Sequence, residues 1–144
     1  MTRRDLCAER QFSPAVEDYL KAIFLAQQTT GTATNGEIAA RLGRLKPASV
    51  TGMVQRLASL GLVSYTPHRG VRLLPAGERI AQRVMRHNRL IELYLIEALG
   101  LGLDAVQAEA DQLEHVISDD MERRIVACLS RVSEDVPAAG MLPT

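Results

Sequence analysis

Apolar residues recur at helical spacing along most of the chain and alternate over two short stretches near its middle. Ser13-Pro14 is a good N-cap and first-turn pair, and Val16, Tyr19, Leu20, Ile23 and Phe24 form one stripe behind it. This predicts a helix that fades into the turn-rich TTGTATNG of residues 29–36. Glu37–Leu42 predicts a short helix ended by Gly43, with a turn at 43–47. Lys46-Pro47 opens the next, with Val50, Met53, Val54, Leu57 and Leu60 inward and Gly61 as its stop. Leu62–Tyr65 and Val71–Leu74 read as strands around the turn Thr66-Pro67-His68-Arg69-Gly70. Two short helices, a glycine-containing turn and a following hairpin make a winged helix-turn-helix.

Pro75 starts a long helix through about Leu99, ended by Gly100 and Gly102. Asp104 is expected to cap a helix running to about Ile117. Ser118 is expected to cap another, DDMERRIVACL, whose first-turn acids suit the helix dipole. The predicted fold is mainly α. It has a loose arm (1–12), a winged helix-turn-helix DNA-binding domain (13–75), a helical domain (76–130) and a flexible tail (131–144).

Composition supports this picture. The 144 residues are 47% hydrophobic and 24% charged, which suits a globular chain. Aromatics are only 3% and Trp is absent, so helices packed on helices are favoured over a β-sandwich. No run approaches the roughly 18 apolar residues of a membrane span. The opening MTRRDLCAERQF lacks a signal peptide's apolar stretch, so a cytoplasmic protein without membrane contact is expected. Cys7 and Cys128 match no zinc or redox spacing and read as free thiols, Cys128 buried.

Net charge is zero but unevenly spread. Between Glu37 and Arg72 stand Arg41, Arg44, Lys46, Arg56, Arg69 and Arg72 against Glu37 alone. Between Asp104 and Glu122 stand seven acids and no Lys or Arg. One half suits an anion and the other a cation.

In a helix-turn-helix the start of the second helix faces the major groove while nearby bases grip phosphates. Arg44, Lys46, Ser49, Thr51 and Gln55 are the candidates there, with Arg69 at the wing tip. A solvated basic surface is the bland alternative. The ordered helix, turn, helix and wing weigh toward DNA.

In the acidic half, Asp111, Glu114 and His115 of EADQLEHVISDD stand at i, i+3 and i+4, on one face of a regular helix. Two carboxylates and an imidazole suit Mn²⁺ or Fe²⁺. Taken alone, such a trio is more often a solvated face. No nucleophile elbow, HExxH or phosphate loop appears, so an enzyme is not expected.

The winged helix and the acidic helices together resemble the diphtheria-toxin-repressor and manganese-transport-regulator family of metal-dependent repressors. The likeness covers nearly all of residues 13–130. It is carried by SPAVEDYLKAI, IAARLG, PASVTGMVQRLASLGLV, the RG of the wing, LLPAGERIAQRVMRHNRLIELYL and EADQLEHVISDDMERRI. It implies the short type without an SH3-like domain. It places Asp18 at the ligand position of the first helix, so that Asp18, Asp111, Glu114 and His115 form the metal set. The long helix carries Asn88 at the family's usual His position, with His87 beside it rotated by about 100°. Glu92 matches the family's ancillary site, but Gln107 stands there for a His. Lys21 stands for a second Glu, and its ammonium is expected to replace a second cation, leaving one ion per subunit.

The resemblance further implies a C₂ homodimer that presents two winged helices to palindromic operator DNA. Leu90, Leu93, Tyr94 and the helices of 104–130 would form the dimer core. Mn²⁺, or Fe²⁺, would act as corepressor by bridging the two domains, and the regulated genes would concern metal uptake or homeostasis. The alternative is a metal-independent winged-helix regulator that senses a small molecule or acts constitutively; Lys21 and Asn88 favour it.

Overall fold

The computed structural model describes residues 12–43 and 45–134. Among them are six helices and one two-stranded sheet, so the fold is mainly α, as expected. The chain divides into two compact units, the division falling after Val84 inside the long helix.

In the first unit α1 spans Pro14–Thr30. Ser13 caps it, its hydroxyl accepting from the Val16 N–H at 3.3 Å, and Gly31 ends it at φ 83°. Val16, Tyr19, Leu20, Ile23 and Ala26 face the core. Helix α2 is Asn35–Arg41, two residues earlier than its apolar pattern implied. Thr34 is the reason: its hydroxyl accepts from the Glu37 N–H and donates to the Glu37 carboxylate, both at 3.1 Å. Helix α3, Pro47–Ser59, buries Val50, Val54 and Leu57 completely.

Strands β1 (Val63–Thr66) and β2 (Gly70–Leu73) pair antiparallel, Val63 opposite Leu73 and Thr66 opposite Gly70. Both lie one residue toward the turn relative to expectation. The Arg69 N–H bonds the Thr66 carbonyl at 3.0 Å, which draws Thr66 and Gly70 into the ladder. His68 and Gly70 take the left-handed conformations the turn requires.

Helix α4 runs Pro75–Glu97. Gly77 lets its first turn rest on the Leu62 carbonyl, where a Cβ would collide. Gly100, at φ 68°, bonds back to the Ile96 carbonyl and ends it.

In the second unit α5 is Leu103–Leu113 and α6 is Asp119–Glu134. Two expectations are corrected here. The N-cap of α5 is Gly102, and Asp104 lies in the first turn. The helix also ends at Leu113 rather than near Ile117. Ser118 must leave helical geometry to cap α6, where its hydroxyl accepts from the Met121 N–H at 3.1 Å, so residues 114–116 form a turn. Helix α6 continues through Arg131–Glu134. Ile91, Leu95, Val106, Ala110 and Ile125 make this unit's core. Cys128 is half-buried rather than buried, and Cys7 lies outside the described residues.

Candidate metal centre and DNA-binding residues

The end of α5 reshapes the acidic trio. Asp111 sits in its last turn, Glu114 is the C-cap residue, and His115 lies in the following turn. The three do not share one regular helix face, because the helix stops before the spacing is completed. Glu114 and His115 stay together: Oε1 of Glu114 lies 3.3 Å from Nε2 of His115. The Glu114 side chain is 1% exposed and that of His115 is 7% exposed. A buried carboxylate costs free energy unless a cation or hydrogen-bond donors compensate it. A carboxylate oxygen and an imidazole nitrogen at this spacing fit a divalent ion of the Mn²⁺ or Fe²⁺ kind.

Asp111 is exposed, but its carboxylate is held. Nδ2 of Asn88 and Nε2 of Gln107 each donate to Oδ1 at 3.0 Å. Asn88 comes from α4, while Gln107 lies one turn before Asp111 on α5. Asn88 is buried and Glu92, one turn further along α4, is half-buried.

His87 turns elsewhere, as its rotation from Asn88 implied. Its Nε2 lies 2.8 Å from Oε2 of Glu122 in the first turn of α6, and Nε of Arg86 lies 3.4 Å from Oε1. Glu122 was legible only as a helix-dipole acid. Its partner depends on how α4 and α6 approach, which local spacing does not encode.

In the first unit Asp18 and Lys21 are half-buried on α1. Their helical positions lie away from the stripe of Val16, Leu20 and Ile23. Among the candidate DNA contacts, Lys46 and Ser49 at the start of α3 and Gln55 further along it are exposed, as is Arg69 at the wing tip. Arg44 lies outside the described residues. Thr51 is half-buried: its hydroxyl donates to the Pro47 carbonyl at 3.0 Å and accepts from Nδ2 of Asn35 at 3.2 Å. That pair pins α2 to α3, and Asn35 is a residue the sequence reading did not single out. Its amide was hidden in a stretch that looked like turn.

Two family models match the chain. The iron dependent repressor N-terminal DNA binding domain matches residues 11–71. The iron dependent repressor metal binding and dimerisation domain matches residues 74–140. The chain belongs to the iron-dependent repressor family. Members of this family are metal-dependent transcriptional repressors, and the resemblance read from the sequence is borne out.

The chain is similar to an uncharacterised HTH-type transcriptional regulator of Methanocaldococcus jannaschii. The two are 32% identical over 124 residues, covering 86% of this chain and 99% of the relative. It is 38% identical to the diphtheria toxin repressor of Corynebacterium diphtheriae over 117 residues, covering 81% of this chain and 51% of that one. A solved manganese-dependent transcriptional repressor in complex with manganese superposes with a TM-score of 0.72 at 35% identity. That match covers 80% of this chain and 52% of the other. The chain thus spans about half the length of these last two repressors.

Proposed function

We propose that this chain is a metal-dependent repressor that uses Mn²⁺ or Fe²⁺ as corepressor, with one ion per subunit. The observation that carries the reading is the Glu114–His115 pair, a carboxylate and an imidazole buried side by side in a chain whose family binds metal. Asp18 supplies the ligand from the DNA-binding unit. Asp111 supplies a further oxygen. Asn88 and Gln107 orient its carboxylate through their bonds to Oδ1. Lys21 provides the charge that a second ion would otherwise bring. His87 is committed to Glu122, and Glu92 lacks a second imidazole at position 107, so neither is assigned to the ion.

The bound ion supplies positive charge shared among these donors. Asp18, Glu114 and His115 then hold the winged helix in a DNA-competent placement, which selects one state from several. Lys46, Ser49 and Gln55 face operator DNA from α3 and Arg69 reaches it from the wing, with Arg44 between α2 and α3. Thr51 acts through its bond to Asn35 as well.

The working form is a homodimer on a palindromic operator in the cytoplasm. Exposed apolar side chains extend the dimer face beyond the stripe Leu90, Leu93 and Tyr94. Leu90, Leu93 and Tyr94 are half-buried within one chain, and Leu90 and Tyr94 pack on the second unit's own core. Leu99, Leu103, Val116, Met121 and Val126 are the large apolar side chains left exposed among the described residues there, and they mark the surface a second copy covers. No described helix is long and apolar enough to cross a membrane. The family match favours this reading over a metal-independent sensor.

Manganese electron paramagnetic resonance tests the ligand set. Titration should show one tight Mn²⁺ per wild-type subunit, lost in Glu114→Ala and weakened in Asp18→Ala. Unchanged binding in both variants would reject it.

A further inference from the structure

The outer edge of the wing is bonded in two ways. In an antiparallel pair, backbone groups alternate between facing the partner and facing away. Val71 and Leu73 of β2 both face away from β1. The Val71 N–H and carbonyl exchange bonds with Ala33, each 2.7 Å, in an isolated bridge. Two residues on, the Leu73 N–H has no strand to meet. It donates instead to Oε1 of Gln27 at 3.0 Å, a side chain in the last turn of α1.

The approach of this loop is built in. Gly70, at φ 91°, sits where a Cβ would lie 2.9 Å from the Ala33 carbonyl. Leu73 is 6% exposed and Val71 is fully buried, so water does not readily replace these bonds. The outer side of β2 is therefore fastened to the loop after α1 at Val71 and to α1 itself at Leu73.

We propose that Gln27 is a positioning residue for the wing, its side-chain carbonyl standing in for a third strand at Leu73 and making the hairpin move with α1. Gln27 lies about 14 Å along α1 from Asp18 and about 180° around it. One face of the helix carries the carboxylate, and the other holds the wing. A shift of α1 set at Asp18 reaches Arg69 through this bond. The link to metal rests on the reading above, in which Asp18 is a ligand. The link to the wing does not.

The test uses the full chain and a DNA duplex selected from a random library by the Mn²⁺-loaded wild-type protein. Gln27→Met keeps the shape and removes the acceptor; Gln27→Glu keeps an acceptor. Gln27→Met should weaken Mn²⁺-loaded DNA binding roughly fivefold, about the worth of one lost hydrogen bond. It should also speed hydrogen exchange at the Leu73 amide and leave the Mn²⁺ dissociation constant within twofold. Gln27→Glu should retain the slow exchange. In an Arg69→Ala background the Gln27→Met effect on DNA should vanish, because both act through the wing. Full additivity with Arg69→Ala overturns the proposal, as does unchanged DNA binding when Leu73 exchange is fast. Wild-type protein that binds DNA equally with and without Mn²⁺ rejects the metal reading alone, since the effect through Arg69 is still read.

Discussion

Nδ2 of Asn88 lies 3.0 Å from Oδ1 of Asp111, joining the long helix to the helix that leads into the Glu114–His115 turn. Gln107 reaches the same oxygen from one turn away. Two neutral donors on one carboxylate oxygen orient it without adding charge. Replacing both with Ala should weaken Mn²⁺ binding on the order of 10- to 100-fold, the usual cost of losing groups that orient a ligand. Calorimetry measures this. Wild-type protein should take up one ion per subunit, and two tight Mn²⁺ would contradict the role given to Lys21.

The DNA contacts proposed for the wing and for α3 differ in kind. Arg69 and Lys46 are exposed cations suited to phosphates, whereas Ser49 and Gln55 can reach base edges. Arg69→Ala and Lys46→Ala should each flatten the salt dependence of binding by about one unit in the log–log slope. Gln55→Ala should leave that slope unchanged and relax sequence preference. Binding isotherms over a range of salt concentrations separate the two classes.

Leu103 is 81% exposed and Val116 is 71% exposed, unusual for large apolar side chains in a compact unit. Leu103→Glu should shift the protein from dimer to monomer in sedimentation velocity, with little change in its helical circular dichroism. A dimer unaffected by Leu103→Glu and Val116→Glu together would place the interface elsewhere.

Burial pushes the Tyr19 phenol above its ordinary value. The folded state thus favours the neutral form. Tyr19's contribution to stability is complete below about pH 10 and is lost as pH rises through the higher folded value. Thermal melts should show Tyr19→Phe less sensitive than wild type between neutral and strongly alkaline pH, because Phe has no proton to lose. Equal alkaline destabilisation of both proteins would assign the effect to other groups.

Much of the fold was legible because its signals are local. Ser13 and Ser118 cap the helices that follow them, and Gly100 ends the long helix, each by chemistry within one turn. The start of α2 was missed because Thr34 lies in a stretch rich in turn residues, and its capping bond to Glu37 outweighs that composition. The end of α5 was missed because Leu113, Val116 and Ile117 keep helical spacing across the break. Among the metal candidates, the residue types in LEHVISDD pointed to a divalent cation, the same chemistry that the family match implies. Their partners did not follow from spacing. Asn88 meets Asp111 and His87 meets Glu122 only once helices have packed.

In the proposed mechanism a divalent ion held at Glu114 and His115 controls DNA binding. Fluorescence anisotropy of a selected duplex, measured with and without Mn²⁺ for wild type and for the Glu114→Ala/His115→Ala variant, tests it most directly. Tight binding is expected only for wild type with Mn²⁺, and weak, metal-insensitive binding for the variant. Equal metal-dependent binding by both proteins would contradict it.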